Sequence, residues 1–209
     1  MNAAQSEEVS SQDRGDQAYG LGRILAISDG VYAFALTLLV VQLVVPRAQE
    51  GSPLSTQLID QLPAFFSYLI SFAAVASTWY GHHENYRYIR RYDGTLIALN
   101  LASLMLIAFL PFPAAVLGRN QDQPLAAVLY AVTLVLNNLF ATAMWWYASH
   151  RGRLIDPKVN ATVVRIRLYR TVAGAAVFLL SIPVALWQPI AAEVVWSAFL
   201  VLLFVVRRR

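Results

Sequence analysis

The chain has 209 residues, 58% of them hydrophobic and only 13% charged, with 16 Lys and Arg against 12 Asp and Glu. A soluble domain carries roughly a quarter charged residues, so too little polar surface is left here to solvate a globule of this size. Cysteine is absent, which excludes disulfides, thiolate metal sites and cysteine nucleophiles.

Residues 1–20 are polar, rich in Ser, Gln and acids, and lack the apolar core of a secretory signal. They read as a disordered tail ahead of one membrane domain over 21–209. Six apolar segments follow, over 22–45, 62–86, 95–117, 124–148, 170–186 and 190–206. A helix crosses a bilayer with about 20 mostly apolar residues, so each segment is a candidate span. Pro46 stops the first, and Trp187-Gln188-Pro189 alone separates the last two, which predicts a tight helical hairpin. The expected fold is all-α, a polytopic membrane protein of six transmembrane helices.

Segment one carries Arg23, Ser28-Asp29-Gly30, Phe34, Thr37, Leu38 and Val41. An aspartate within a span costs roughly 2.5–3.5 kcal/mol on insertion scales, so Asp29 must face protein or water and have a partner. Segment two ends with Trp79-Tyr80-Gly81-His82-His83 at the same level. A buried cluster of Asp29, Arg23 and one histidine would satisfy these groups together. At about 100° per residue, Gly30, Phe34, Thr37, Val41 and Val45 share one stripe, and Asp29 lies roughly 140° from Phe34. The helix thus offers a polar anchor to its own subunit and an apolar stripe interrupted by a threonine. Spacing alone favours a packed core over a pore.

Further along, Trp79, Tyr80, Trp145, Trp146, Tyr147 and Trp187 stand near segment ends, as interfacial anchors do. His82, His83 and Glu84 are consecutive, and neighbours on a helix point about 100° apart, which suits one metal ion poorly. No metal or cofactor is expected. Asn100, Asn137 and Asn138 are candidates for interhelical hydrogen bonds. Arg165, Arg167 and Arg170 are placed against anionic lipid. Pro183 is expected to kink segment five, and Glu193 to sit at the outer interface, with attraction of cations toward the mouth as the second reading.

The basic residues lie on alternate connections. Arg14 and Arg23 flank the start, Arg87, Arg90 and Arg91 follow segment two, and Arg151, Arg153, Lys158, Arg165 and Arg167 follow segment four. Arg207-Arg208-Arg209 closes the chain, whereas the other connections hold Arg47, Arg119 and no basic residue. The positive-inside rule then puts both termini of a multi-pass cell-membrane protein in the cytoplasm. This distribution points to lipid rather than nucleic acid as the partner of the excess charge.

The string R-x-x-x-x-S-D-G-V-x-A-x-A-x-T-L-L-V from Arg23 resembles the first-helix signature of the transmembrane protein 175 potassium channels, in their six-helix prokaryotic form. Ser71-Phe72, the Trp79–His83 run, Asn100 and Pro111-Phe112 continue the likeness, which covers about residues 22–113. The resemblance implies a homotetrameric potassium channel without a T-V-G-Y-G filter, its pore lined by the first helix. Carried over, Phe34 is the constriction, Thr37 a polar ring and Val41 the next apolar ring, with Leu38 also lining the pore. Arg23, Ser28 and Asp29 become a structural network at the cytoplasmic mouth, with His82 or His83 as partner. Two departures stand out: Ile27 replaces the family's phenylalanine before Ser-Asp, and Phe34 replaces an aliphatic constriction residue.

The rival from another class is a secondary transporter or proton-coupled carrier of a small ion. Broken helices or midplane charges would be expected in both halves of such a protein, and only segment one carries an obvious intramembrane acid. An enzyme is not expected, because no nucleophile–base pair or metal-ligand set emerges.

Overall fold

The computed structural model describes residues 3–44 and 53–207, which form helices joined by short loops. In chain order these are α1 (Ala3–Val41), α2 (Leu54–Asp60), α3 (Leu62–Tyr86), α4 (Gly94–Phe109), α5 (Pro111–Arg119), α6 (Pro124–Ser149), α7 (Ala161–Trp187) and α8 (Pro189–Arg207). Among the described residues five spans are long and apolar enough to cross a membrane, and α8 adds a shorter apolar helix. The all-α reading therefore stands. Val45, Pro46, Arg47 and the last two arginines lie outside the described residues.

Three boundaries differ from expectation, each for a local reason. The stretch read as a disordered tail is helical from Ala3 and runs unbroken into the first span. It is tied down where Gln17 Oε1 accepts from the Tyr92 backbone N–H at 3.1 Å. Gly20 allows this approach, because a Cβ there would collide with the Tyr92 ring. Segment three is α4 and α5, divided at Leu110 because Pro111 and Pro113 cannot donate backbone hydrogen bonds. Segment five begins at Ala161 rather than 170, opened by the Asn160 side chain accepting from Thr162 N–H at 2.8 Å.

Packing follows the small and aromatic residues. Tyr130, Phe178 and Trp196 stack in the interior of α6, α7 and α8, with centroids 5.2 and 5.9 Å from Trp196. The Trp196 indole donates to Ser181 Oγ at 2.7 Å. Trp145, expected at the interface, is fully buried and donates to the Val164 carbonyl at 3.1 Å, while Trp146 and Trp187 are exposed.

The two basic loops are joined to each other. Ile89 and Ile155 form an isolated antiparallel bridge, with Arg90 N–H donating to the Leu154 carbonyl at 2.8 Å and Asp156 N–H to that of Tyr88 at 3.0 Å. Asp93 anchors this end. It caps α4 by accepting from Leu96 N–H at 2.9 Å and accepts from the Tyr147 hydroxyl at 2.7 Å. Partial desolvation would raise its pKa, but the Tyr147 hydroxyl, the Leu96 and Thr95 amides and the Arg153 charge outweigh that and hold the carboxyl below the usual range. A carboxyl lowered on folding stabilises above its unfolded value of about 3.9, and that contribution is lost as pH falls through the folded value. Asp93→Asn keeps an acceptor without the charge, so its melting temperature should lie below wild type at neutral pH. The gap should close in acid. A gap that widened in acid would contradict the sign.

Candidate permeation site

Helix α1 has one inward and one outward face. Ser28, Tyr32, Ala35 and Leu39 are buried, at spacings of four, three and four. Arg23, Ile27, Gly30, Phe34, Thr37 and Val41 are exposed along a second stripe, which the helical arithmetic places roughly 150° away. Phe34 is 62% and Val41 70% exposed within the subunit. Only 22% of the first span is buried, against 44% of the third and fourth, so α1 lies at the edge of its own bundle. Leu38 is half-buried on the flank of the stripe, not at its centre.

The exposed stripe repeats at spacings of four and three, an average of 3.5 residues. That period keeps a seam on one side of a helix that supercoils with others. Thr37 turns its hydroxyl back along the helix, donating to the Phe34 carbonyl at 2.8 Å. Its one proton is thereby used, and its lone pairs remain as acceptors on the exposed face.

The expected cluster at the other end of the motif resolves into two separate links. Ser28 donates to the Ile24 carbonyl at 2.8 Å and accepts from Asn100 Nδ2 at 3.0 Å. Asn100 Oδ1 pairs with His82 Nε2 at 2.9 Å, so Nε2 carries the proton in this pair. The His82 ring stacks on Tyr86 at 4.4 Å. Asp29, by contrast, accepts from the Trp79 indole at 2.8 Å, and Trp79 packs on His83 at 5.6 Å. Adjacent positions on α1 point about 100° apart, which is why Ser28 addresses α4 and Asp29 addresses α3. Arg23 lies on the exposed face, and no ion pair joins it to Asp29 among the described residues.

Trp79 was thus underread as an interfacial anchor. Its indole N–H, one turn before His83 and level with Asp29, is the signal that could have found it. Trp79→Phe removes the donor and should cost about 1 kcal/mol, the low side for a bond to a charged acceptor because Asp29 is exposed. Thermal unfolding in detergent measures this, and an unchanged midpoint would show that the bond is replaced by water.

Other expected polar links are redistributed. Asn137 joins α6 to α4 by donating to the Ser103 carbonyl and hydroxyl, both at 3.1 Å, but Asn138 donates within α6 to the Leu134 carbonyl at 2.8 Å. Arg167, placed against lipid by sequence, instead pairs with Glu84 at 2.9 Å and lies over the Tyr88 ring at 4.7 Å. Glu193, expected at an interface, is 1% exposed.

The family described as Endosomal/lysosomal potassium channel TMEM175 matches residues 23–111, the stretch that contains the stripe and both links. A potassium channel of Streptomyces collinus is 34% identical over 168 residues, spanning 78% of this chain and 82% of its own. The human endosomal/lysosomal proton channel TMEM175 is 25% identical over 167 residues, and the chain spans 32% of its length. In three dimensions the chain is similar to the crystal structure of a lysosomal potassium-selective channel TMEM175 homolog from Chamaesiphon minutus. That comparison has a TM-score of 0.80 and 26% identity, over 90% of this chain and 97% of the other.

Proposed function

The chain belongs to the TMEM175 potassium channel family, and from that premise we propose that it is a potassium-permeable channel whose α1 stripes meet around a shared axis. Four copies, the number the resemblance implies, would bring Phe34, Thr37 and Val41 into successive rings. The observation that carries this reading is the outward stripe itself: apolar, repeating every 3.5 residues, and interrupted by a threonine with free lone pairs.

In this pore the Phe34 and Val41 rings form a dewetting barrier, and the Thr37 ring offers oxygen to a partly dehydrated ion. Such a pore favours potassium over sodium modestly, because the less strongly hydrated ion loses water at lower cost. Both termini face the cytoplasm in this reading. The bridged loops and the Gln17–Tyr92 contact support it by gathering the basic connections beside the N-terminal helix.

Natural absence of cysteine permits a direct test of the axis. Phe34→Cys should form intersubunit disulfides on mild oxidation in liposomes, whereas Leu180→Cys on the 73% exposed outer face of α7 should not. A monomeric Phe34→Cys after oxidation would remove the axis. Reversal potentials under asymmetric potassium and sodium then give the ion preference. Turnover limited to about 10³ ions per second, the upper end of typical enzyme rates, would favour the carrier instead.

A further inference from the structure

Several hydroxyls in the spans are used locally: Ser28, Thr78, Thr133 and Ser197 each donate to the backbone carbonyl four residues back. Ser67 and Ser71 on α3 and Tyr130 on α6 do not. All three are buried, and their side-chain oxygens have no hydrogen-bond partner. Glu193 Oε1 on α8 is in the same state, in a side chain that is 1% exposed. These groups lie near the starts of their helices, at the end of the bundle away from the basic loops. The Tyr130 hydroxyl faces Ser71 and feels the Glu193 charge. One turn along α8 from Glu193, the Trp196 indole packs on the Tyr130 ring at 5.2 Å. Gln121 Nε2 donates to Glu193 Oε2 at 3.3 Å and to the Pro63 carbonyl at 3.1 Å. Pro63, Ser67 and Ser71 occupy successive turns of one α3 face, so both tethers of Glu193 lead to the face that carries the two serines.

A buried carboxylate is tolerated when it is paired or coordinates a metal ion. No Lys, Arg or His pairs with Glu193 among the described residues. The neutral Gln121 amide supplies one hydrogen bond and leaves the charge unanswered. Water would satisfy the hydroxyls but not that charge. A divalent ion would leave an excess positive charge, and among the described residues no cluster of three His, Asp or Glu side chains is present to hold one. A monovalent ion matches the single charge, and hydroxyl lone pairs complete its shell.

We propose that Glu193 Oε1, Ser71 Oγ and the Tyr130 hydroxyl, with Ser67 Oγ one turn outward, bind a monovalent alkali cation inside each subunit. The ion enters from the outer crevice that Gln121 lines with Asp60, Arg119 and Asp122, where two acids against one base favour a cation. Once bound, it ties α3, α6 and α8 together through a charge that no side chain answers. The site uses no residue of the α1 stripe, so it stands or falls separately from the pore.

The test is thermal unfolding of the full chain in detergent at one mildly alkaline pH, in sodium, potassium or N-methylglucamine chloride at equal ionic strength. Sodium or potassium should raise the melting temperature saturably, as a ligand of the folded state does, and the organic cation should not. Glu193→Gln should abolish that dependence. Ser71→Ala should raise the half-maximal concentration by about tenfold, the loss expected for one oxygen bound to a charge. It decides the matter should Glu193→Gln fail to fold. Thr37→Val removes the axial oxygen and should leave the dependence intact, which separates this site from ion binding in the pore. The proposal is overturned by equal melting in all three salts, by a cation effect that survives Glu193→Gln or ignores Ser71→Ala, or by its loss in Thr37→Val. A Glu193→Gln protein that melts above wild type in every salt would also overturn it, with a proton instead of a metal ion neutralising the carboxyl.

Discussion

Replacing Phe34 by alanine should raise potassium flux through reconstituted protein by about tenfold or more, since each 1.36 kcal/mol removed from a barrier is tenfold in rate. Shared among four rings, that is about 0.35 kcal/mol per subunit, far below the roughly 1.5–3 kcal/mol by which a phenylalanine side chain favours leaving water. The side chain is free to act this way because it is 62% exposed and is not part of its own subunit's buried core. Its removal should therefore leave stability within about 0.5 kcal/mol, as for surface substitutions generally. Thr37→Val, which keeps the shape but removes the oxygen, should instead reduce the preference for potassium with conduction retained. Flux unaltered by Phe34→Ala would mean that the aromatic faces lipid.

How far the sequence foretold this site depended on which question was asked of it. The spans were legible because crossing lipid demands long apolar runs, and nothing in a neighbour alters that demand. The stripe of Phe34, Thr37 and Val41 was legible because angular position on a helix depends only on spacing. Partners were another matter. Asp29 had to find a polar group, but whether this was Arg23, His82, His83 or Trp79 depended on the rotation of α3, which spacing within α1 does not encode. The same blindness put Trp145 at the membrane surface and Glu193 at an interface, although both are buried. Family resemblance supplied the pore assignment that periodicity left open.

Arg167 shows both the limit and the missed signal, and its loss should carry the largest stability cost. On α7 the residues Arg167, Thr171, Gly174, Phe178, Ser181 and Ala185 recur at spacings of four and three, a stripe of small, polar and aromatic groups that faces the bundle. Arg165 and Arg170 lie off that stripe and are exposed, so only Arg167 was available to pair with Glu84. Removing one partner of a buried pair costs roughly 3–5 kcal/mol because the other charge is stranded. Here the side chains are 13% and 19% exposed and Glu84 keeps the exposed Arg87 at 2.9 Å, which reduces the cost. Arg167→Met should then destabilise by about 2 kcal/mol, while Arg165→Ala and Arg170→Ala stay within about 0.5 kcal/mol. Because the two charges depend on each other, Glu84→Gln combined with Arg167→Met should cost less than the sum of the single changes. Denaturation of the four proteins in detergent measures that coupling. Strict additivity would return Arg167 to the lipid headgroups, and a clear shortfall would fix it as the tie between α7 and α3.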